Sequence, residues 1–442
     1  MLRTTYIGAG IKRNSAQCVL HRRRQRRTSW RELWRKDVKG VNKRLIALTE
    51  TAMSCSLPSD LFDLIVDHLR DEPTALKSCC LVSKSWVPRT RRHLFARVKF
   101  GRPGPWLNLV CLRRLPGHDI ESWMKTFPDP SNSPAHHTRS LRFSNLASIT
   151  AASAHAGTYV HPFHHVVELK VKTRWPDSLR TSLAPFKGFS PSLRSLCLSR
   201  ISTTLAEVLD LICSFPLLED VRLDGVVAES GTDQWHAPLT SPKLTGLLHL
   251  NDKNHLVARR LLDLPDGLHF SEILVVCPNE SIAELVLRCS DTLESFTILY
   301  DPSGMFPSTS GFSNTSLLTV GIDASRALPL FDLSKATKLK EVRFHCHCGK
   351  QDIRWNVATL QTAKSNNLQK IALYLMIDLT DPVEETARRA WQDLDNLLVE
   401  LWTSRSIRPT VLVLDDSGGS DQGKFTPSLL PELTVRGAVD VM

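Results

Sequence analysis

The side chains that could bind a metal or do covalent chemistry in this sequence are few and closely grouped. His345-Cys346-His347-Cys348 puts two imidazoles and two thiols in one short run, the ligand types that zinc takes. A tetrahedral zinc site, however, draws one closely spaced pair together with a second pair elsewhere, and no second pair lies nearby. On a strand these four residues alternate, with both cysteines on one face and both histidines on the other. The run therefore reads as a strand with core cysteines. His136-His137 and His161-Pro162-Phe163-His164-His165 read as surface loops. There is no P-loop, dinucleotide glycine pair, nucleophile elbow or kinase motif, and the carboxylates fall at no recognisable catalytic spacing. The expectation is a protein with no catalytic residues, no metal and no cofactor.

Composition narrows the class further. Eleven cysteines without regular spacing do not make a disulfide framework in a chain of 442 residues. Cys79, Cys197 and Cys277 sit in apolar patterns where a free thiol behaves as a small hydrophobe, so a reducing compartment is expected. No stretch approaches the roughly 20 apolar residues needed to cross a bilayer, and the N-terminal region lacks the apolar core of a secretory signal. A soluble intracellular protein with no membrane partner follows as an expectation.

What remains is binding, and the residues best suited to it lie between Leu57 and Phe95. Leu57-Pro58 precedes Leu61, Leu64, Ile65 and Leu69 at helical spacing, with Ser59 as the expected cap. Asp71-Glu72-Pro73 breaks the run, because proline removes a donor from the helical ladder. Thr74 is then placed to cap a second helix carrying Ala75, Leu76, Cys79, Cys80 and Val82. Trp86 and Pro88 open a third segment that ends at Leu94-Phe95.

This order of residues closely resembles the F-box over about forty residues. The resemblance implies a short three-helix module that docks onto the Skp-family adaptor of a cullin–RING ubiquitin ligase. The positions carried over are Leu57, Pro58, Leu61, Ile65, Leu69, Leu76, Val82 and Trp86.

Charge is confined to one end. Residues 1–56 hold fourteen Lys/Arg against three acids, which is the whole formal charge of +11, and the remainder holds 42 of each sign. The body has no net field to draw in a polyanion. The run His21-Arg22-Arg23-Arg24-Gln25-Arg26-Arg27 suits a nuclear-import signal, a nucleic-acid contact, an organellar presequence or a solvated extension without a role. An alternative start at Met53 would dispense with this head. Localisation is expected in cytoplasm, nucleus or both.

Beyond Pro134 a unit of the form apolar-x-x-apolar-x-apolar recurs. It runs through Thr138-Leu141-Phe143 (polar at its first position), Val166-Leu169-Val171, Leu193-Leu196-Leu198 and Leu218-Val221-Leu223. Leu244-Leu247 follows, with His249 as a defect at its third position. Phe270-Ile273-Val275, Leu293-Phe296-Ile298, Leu317-Val320-Ile322, Leu339-Val342-Phe344 and Leu368-Ile371-Leu373 complete it. Successive starts are 22 to 29 residues apart, the period of a leucine-rich repeat. The last two apolar positions share one face of a short strand, so Val221, Leu223, Val342 and Phe344 should point inward and Arg222 and Arg343 outward. The Asn or Cys that follows the strand in that family is absent. Leu146, Arg174, Ile201, Val226 and Asp252 stand there instead, which removes the hydrogen-bonded ladder. Helices are expected at Trp106–Leu115, Glu121–Phe127, Thr204–Phe215, Ser281–Cys289, Ile353–Lys364 and Val383–Trp402, and a strand at Val411–Leu414.

The fold class expected is α/β: the F-box module, then a leucine-rich-repeat-like solenoid with parallel strands inside and helices outside. The layout is a basic head over 1–56, the module over 57–100, a linker with helical segments over 101–137, repeats over 138–382 and a cap over 383–442. It resembles the F-box and leucine-rich-repeat proteins that are numerous in fungi. That resemblance implies a non-catalytic substrate receptor of a ubiquitin ligase, whose repeats hold a protein target. The alternative is an interaction scaffold outside the ligase, or a nucleic-acid-associated protein that uses the basic head.

Overall fold

The computed structural model describes residues 58–101, 120–144, 161–173, 182–229, 235–251, 254–276, 279–299, 331–347, 350–377, 385–415 and 429–441. The chain divides into two compact units, residues 1–69 and 70–442.

In the first unit, α1 spans Ser59–His68. The expected cap at Ser59 does not form. Pro58 occupies the capping position, and its carbonyl accepts from Leu61 N at 3.1 Å and Phe62 N at 3.4 Å. The preset φ of proline starts the helix at the next residue, so Ser59 is already helical and its hydroxyl bonds Asp60 Oδ1 at 3.3 Å. Val66 is the buried residue of α1.

The second unit opens with α2, Pro73–Val82. Pro73 begins this helix, as suits a residue with no N–H to lose at a first turn. Thr74 is therefore inside the helix rather than capping it, and its carbonyl accepts from Ser78 Oγ at 3.2 Å. A short 3-10 turn at Lys84–Trp86 leads into α3, Val87–Leu94, which packs on α2. Between them Thr90 is buried and donates to Trp86 O at 2.8 Å, leaving its oxygen to accept from the Cys80 thiol at 2.8 Å.

The sheet starts immediately, with β1 at Arg97–Phe100. In chain order there follow α4 (Ile120–Thr126), β2 (Ser140–Phe143), β3 (Glu168–Lys172), β4 (Ser195–Ser199), β5 (Ser202–Thr204), α5 (Leu205–Cys213), β6 (Asp220–Asp224) and β7 (Val227–Glu229). Next come β8 (Leu247–Leu250), α6 (His255–Leu261), β9 (Glu272–Val276), α7 (Glu280–Arg288), β10 (Ser295–Leu299) and β11 (Glu341–His347). The chain closes with α8 (Lys350–Thr362), β12 (Lys370–Ile377), α9 (Glu385–Arg405), β13 (Pro409–Asp415), α10 (Pro431–Val435) and β14 (Val439–Val441). Among the described residues twelve strands form one parallel sheet in chain order, while β5 and β7 pair apart as a second parallel pair. The protein is thus α/β with a large, open parallel sheet.

The register is uniform. Val98, Leu141, Leu169, Leu196, Val221, Leu248, Ile273, Phe296, Val342 and Ile371 lie in one row, and Phe100 through Val171, Leu223, Ile298 and Leu373 lie in the next. Both rows are buried in one continuous core, and the first positions of the described units, Thr138, Val166, Leu193, Leu218, Leu244, Phe270, Leu293, Leu339 and Leu368, are buried too. At most strand entrances one carbonyl accepts two successive N–H groups. Ala96 O takes Arg139 and Ser140, Val167 O takes Arg194 and Ser195, and Glu294 O takes Lys340 and Glu341.

Three expectations need correction or relocation. The sheet is longer than 138–382, since β1 precedes that range and β13 and β14 extend the sheet past it. Leu247 and His249 are not the inward pair of their unit; Leu248 and Leu250 are, both fully buried. The cause is an extra residue at Gly246, where the chain passes so close to β6 that a Cβ would lie 2.0 Å from Asp220 Oδ1. That carboxylate accepts from Leu247 N at 2.8 Å and stands in for the usual backbone acceptor. Third, β10 pairs directly with β11, matching Phe296 to Val342, and the expected unit at Leu317-Val320-Ile322 lies outside the described residues.

The expected helices from Thr204 onward form with small shifts of their ends. Thr204 caps α5 by accepting from Glu207 N at 3.2 Å, and Asn279 caps α7 by accepting from Ile282 N at 3.1 Å. Residues 106–115 lie outside the described set, whereas Glu121–Phe127 corresponds to α4. At one end of the sheet Trp123 of α4 packs edge-on against Phe95 and Phe100, each 5.8 Å between ring centroids. At the other, α9 buries Trp391, Leu394 and Leu398, and its buried Asp395 accepts from the free N–H groups of Glu432 (2.9 Å) and Leu433 (3.1 Å) at the start of α10. Burial raises the Asp395 carboxyl above its ordinary value, and the two backbone donors oppose that shift.

Candidate docking surfaces

The module residues separate by exposure. In the first unit Leu57 lies outside the described residues and Pro58 is exposed. Leu61, Leu64 and Ile65 are 46%, 65% and 44% exposed, and Leu69 is half-buried at the helix end. In the second unit Leu76 is 1% exposed, so it supports its helix and cannot itself touch a partner, while Trp86 is half-buried. Val82 is 68% exposed, and Leu81, absent from the expected positions, is 88% exposed. The signal for Leu81 was its place beside Val82 in an otherwise amphipathic helix. Large apolar groups clustered in water mark surfaces that a partner covers.

The side chains on the other face of the sheet form a second surface. Their middle row runs Lys99, Arg142, Lys170, Cys197, Arg222, His249, Leu274, Thr297, Arg343, exposed or half-buried except at Thr297, which is buried. Arg222 and Arg343 sit there as expected. Cys197, expected in the core, instead stands half-buried on this row, because its odd position in β4 faces away from Leu196 and Leu198. Cys79 is buried, and Cys277 lies outside the described residues. Lys99 is held below the ordinary lysine value by burial, then by Arg142 and Lys172. In β11 the arrangement differs: Glu341 bonds Arg343 at 2.6 Å and Lys370 at 2.8 Å, and its carboxyl is lowered to about 2 despite burial.

Of the clustered metal-type residues, His345 stacks flat on Tyr374 at 4.2 Å, and Cys348 lies outside the described residues. Among the described residues no three His, Cys, Asp or Glu side chains gather as a metal site would require. Ile201 and Val226, where the ladder asparagine was missed, are buried apolar residues. A buried asparagine does serve nearby, since Asn254 Nδ2 donates to Leu223 O at 3.0 Å.

The histidine pairs are not isolated loop residues. A cleft of ≈340 Å³ is lined by Arg92 and His93 of α3, Ala96, His136, His137 and Arg139. The rings of His136 and His137 lie 3.8 Å apart, and Arg139 Nη1 donates to His165 O at 3.3 Å. Burial pushes the His137 imidazolium down, and His136, Arg92, Arg91 and Arg139 push it further. His165 is lowered by burial, His164, Arg139 and His136.

No family model matches the chain, and no curated protein matches it. Among the described residues no helix is long and apolar enough to cross a membrane.

Proposed function

We propose that this protein is a substrate-recognition subunit of an SCF-type, cullin–RING ubiquitin ligase. Residues 57–95 would act as an F-box for the Skp-family adaptor, and the strand-rich body as a leucine-rich-repeat-like solenoid that holds a protein target. The observation that carries the reading is the exposure of Leu61 and Ile65 at motif positions on α1. A helix of a self-sufficient fold would turn such residues inward. The in-order parallel strands and the apolar unit spaced at 22 to 29 residues support the repeat reading. The chemistry is proximity: a bound target lysine is presented to a charged conjugating enzyme at high effective concentration.

The test is adaptor binding by a Leu61→Ala, Ile65→Ala variant. With about half of each side chain still available to bury, the pair should supply roughly 2 kcal/mol of adaptor affinity, about thirtyfold in Kd. Because both residues are exposed, the melting temperature should hold. Unchanged affinity in a folded double variant would reject the F-box assignment and favour a scaffold outside the ligase.

A further inference from the structure

We propose that the outer edge of β14, together with the cationic cluster at its entrance, is a docking site for an extended acidic segment of a partner protein. β14 ends the sheet and pairs on one side, with β13. Ala438 O accepts from Val411 N at 3.2 Å, so that carbonyl turns towards β13. Backbone groups of successive residues alternate in direction along a paired strand, and the N–H and C=O of Val439 therefore turn away from β13. Among the described residues no strand meets them. An edge of this kind is a template for another extended chain. The proposal is independent of the ligase reading, since it rests on the last strand of the sheet and not on residues 57–95.

The edge is only three residues long, too short to hold a partner by backbone pairing alone. A second contact must add affinity, and its chemistry is visible at the strand's entrance. Arg408, just before β13, and Arg436, at the end of α10, each lie 5.9 Å from the ring centre of Trp402 on α9. Both arginines are exposed and Trp402 is half-buried. Arg408 Nη2 donates to Gly437 O at 3.0 Å, which ties the cluster to the chain that enters β14. Among the described residues neither guanidinium is in an ion pair. Arg436 lies in the field of Asp395, but the two oxygens of that carboxylate already accept from Glu432 N and Leu433 N. Two planar guanidinium forks steadied on an aromatic ring match carboxylates. Val435, next to Arg436 in sequence and 86% exposed, adds an apolar contact.

Charge selects the occupant. The opposite edge of the sheet, β1, begins with Arg97 and carries Lys99. Parallel stacking of β14 from one molecule on β1 of another would align the two entrances and set Arg97 beside Arg408 and Arg436, where like charges oppose pairing. An acidic segment meets no such opposition. Its carboxylates would lie over the two arginines while its backbone pairs with Val439, so binding should need both the acids and the N–H groups of the segment.

The experiment uses the full chain. A fluorescent peptide of two aspartates followed by alternating valine and threonine is titrated by anisotropy. One twin carries asparagine for aspartate, and a second is N-methylated along the valine–threonine stretch. The acidic peptide should bind at least about tenfold tighter than either twin. An Arg408→Gln, Arg436→Gln double variant should weaken it about tenfold, to the level of the asparagine twin. Val439→Pro removes an N–H that makes no bond to β13, so the melting temperature should hold while affinity falls at least about tenfold. Should that variant fail to fold, the N-methylated twin decides the backbone claim by itself. Equal binding of the acidic peptide and its asparagine twin would overturn the proposal, and so would full binding of the N-methylated twin. A dimer in sedimentation that Val439→Pro abolishes and the peptide does not displace would overturn it too, by assigning the edge to a second copy of the chain.

Discussion

Gly246→Ala tests whether the displaced register of β8 has the cause assigned to it. The backbone of Gly246 carries no left-handed strain, so alanine costs nothing in conformation and gains about 0.4–1 kcal/mol by restricting the unfolded chain. Against that, the new methyl would lie 2.0 Å from Asp220 Oδ1 and 3.3 Å from the Glu219 carbonyl carbon. The carboxylate is the movable partner and must swing away, which breaks its 2.8 Å bond to Leu247 N. A hydrogen bond to a charged acceptor contributes about 1.5–3 kcal/mol, so the substitution should destabilise by about 1–2 kcal/mol. In an Asp220→Ala background the obstacle is gone, and the same substitution should be neutral or slightly stabilising. Urea unfolding of the four proteins closes the cycle, and the coupling should be about 2 kcal/mol with unchanged slopes. An equal cost of Gly246→Ala in both backgrounds would refute the reasoning, because it would show that Asp220 does not fill the space beside residue 246.

Two further outcomes follow from the register and the charges. Leu223 is fully buried and Arg222 faces outward, so Leu223→Asp should cost more than about 4 kcal/mol by burying an unpaired carboxylate and Arg222→Asp no more than about 1–2, measured by chemical denaturation; equal losses would mean the strand register is wrong. Glu341 has a folded-state value of about 2 against an ordinary 4.5, chiefly through Arg343, so its contribution is present above about pH 4.5 and lost as pH falls towards 2; with its partners a third to a half exposed, Glu341→Gln should cost only about 1–2 kcal/mol at neutral pH, and that gap should close on acidification.

The inward rows were legible because a parallel, in-register sheet repeats one demand at every strand. Leu141, Leu169 and Leu196 occupy one environment, and a period of two within a period of 22 to 29 announces it. The misreading at Leu247 has a local cause: Leu244-x-x-Leu247 imitates the unit, and nothing in apolar spacing reveals that Gly246 adds a residue. β1 also carried a signal, since Phe95-x-x-Val98-x-Phe100 has the form of the unit, but it lies too far ahead of Thr138 to fit the period. Capping failed at Ser59 and Thr74 for a shared reason. Each follows a proline that claims the start of the helix for itself. On α1 periodicity correctly grouped Leu61, Leu64 and Ile65, yet it could not say whether that stripe faced core or water. The cationic cleft had no linear signature at all, because Arg92, His137 and Arg139 meet only when α3 packs beside the turn before β2.

The same geometry that makes the core repetitive makes the outward face costly, because parallel pairing sets like residues on neighbouring strands. At β11 and β12 the sequence answers with a carboxylate: Glu341 lies between Arg343 and Lys370 and neutralises part of both. At β1 to β3 it does so only in part. Glu168 pairs with Lys170 within one strand, and Asp71 reaches Arg97 at 3.7 Å. Lys99 and Arg142 remain as direct cross-strand neighbours, and Lys99 is held below the ordinary lysine value first by burial and then by Arg142 and Lys172. Like charges opposite one another weaken a sheet, so stability alone does not account for this end of the protein. An anion would relieve the repulsion here and would gain nothing at β11, where the charge is already balanced.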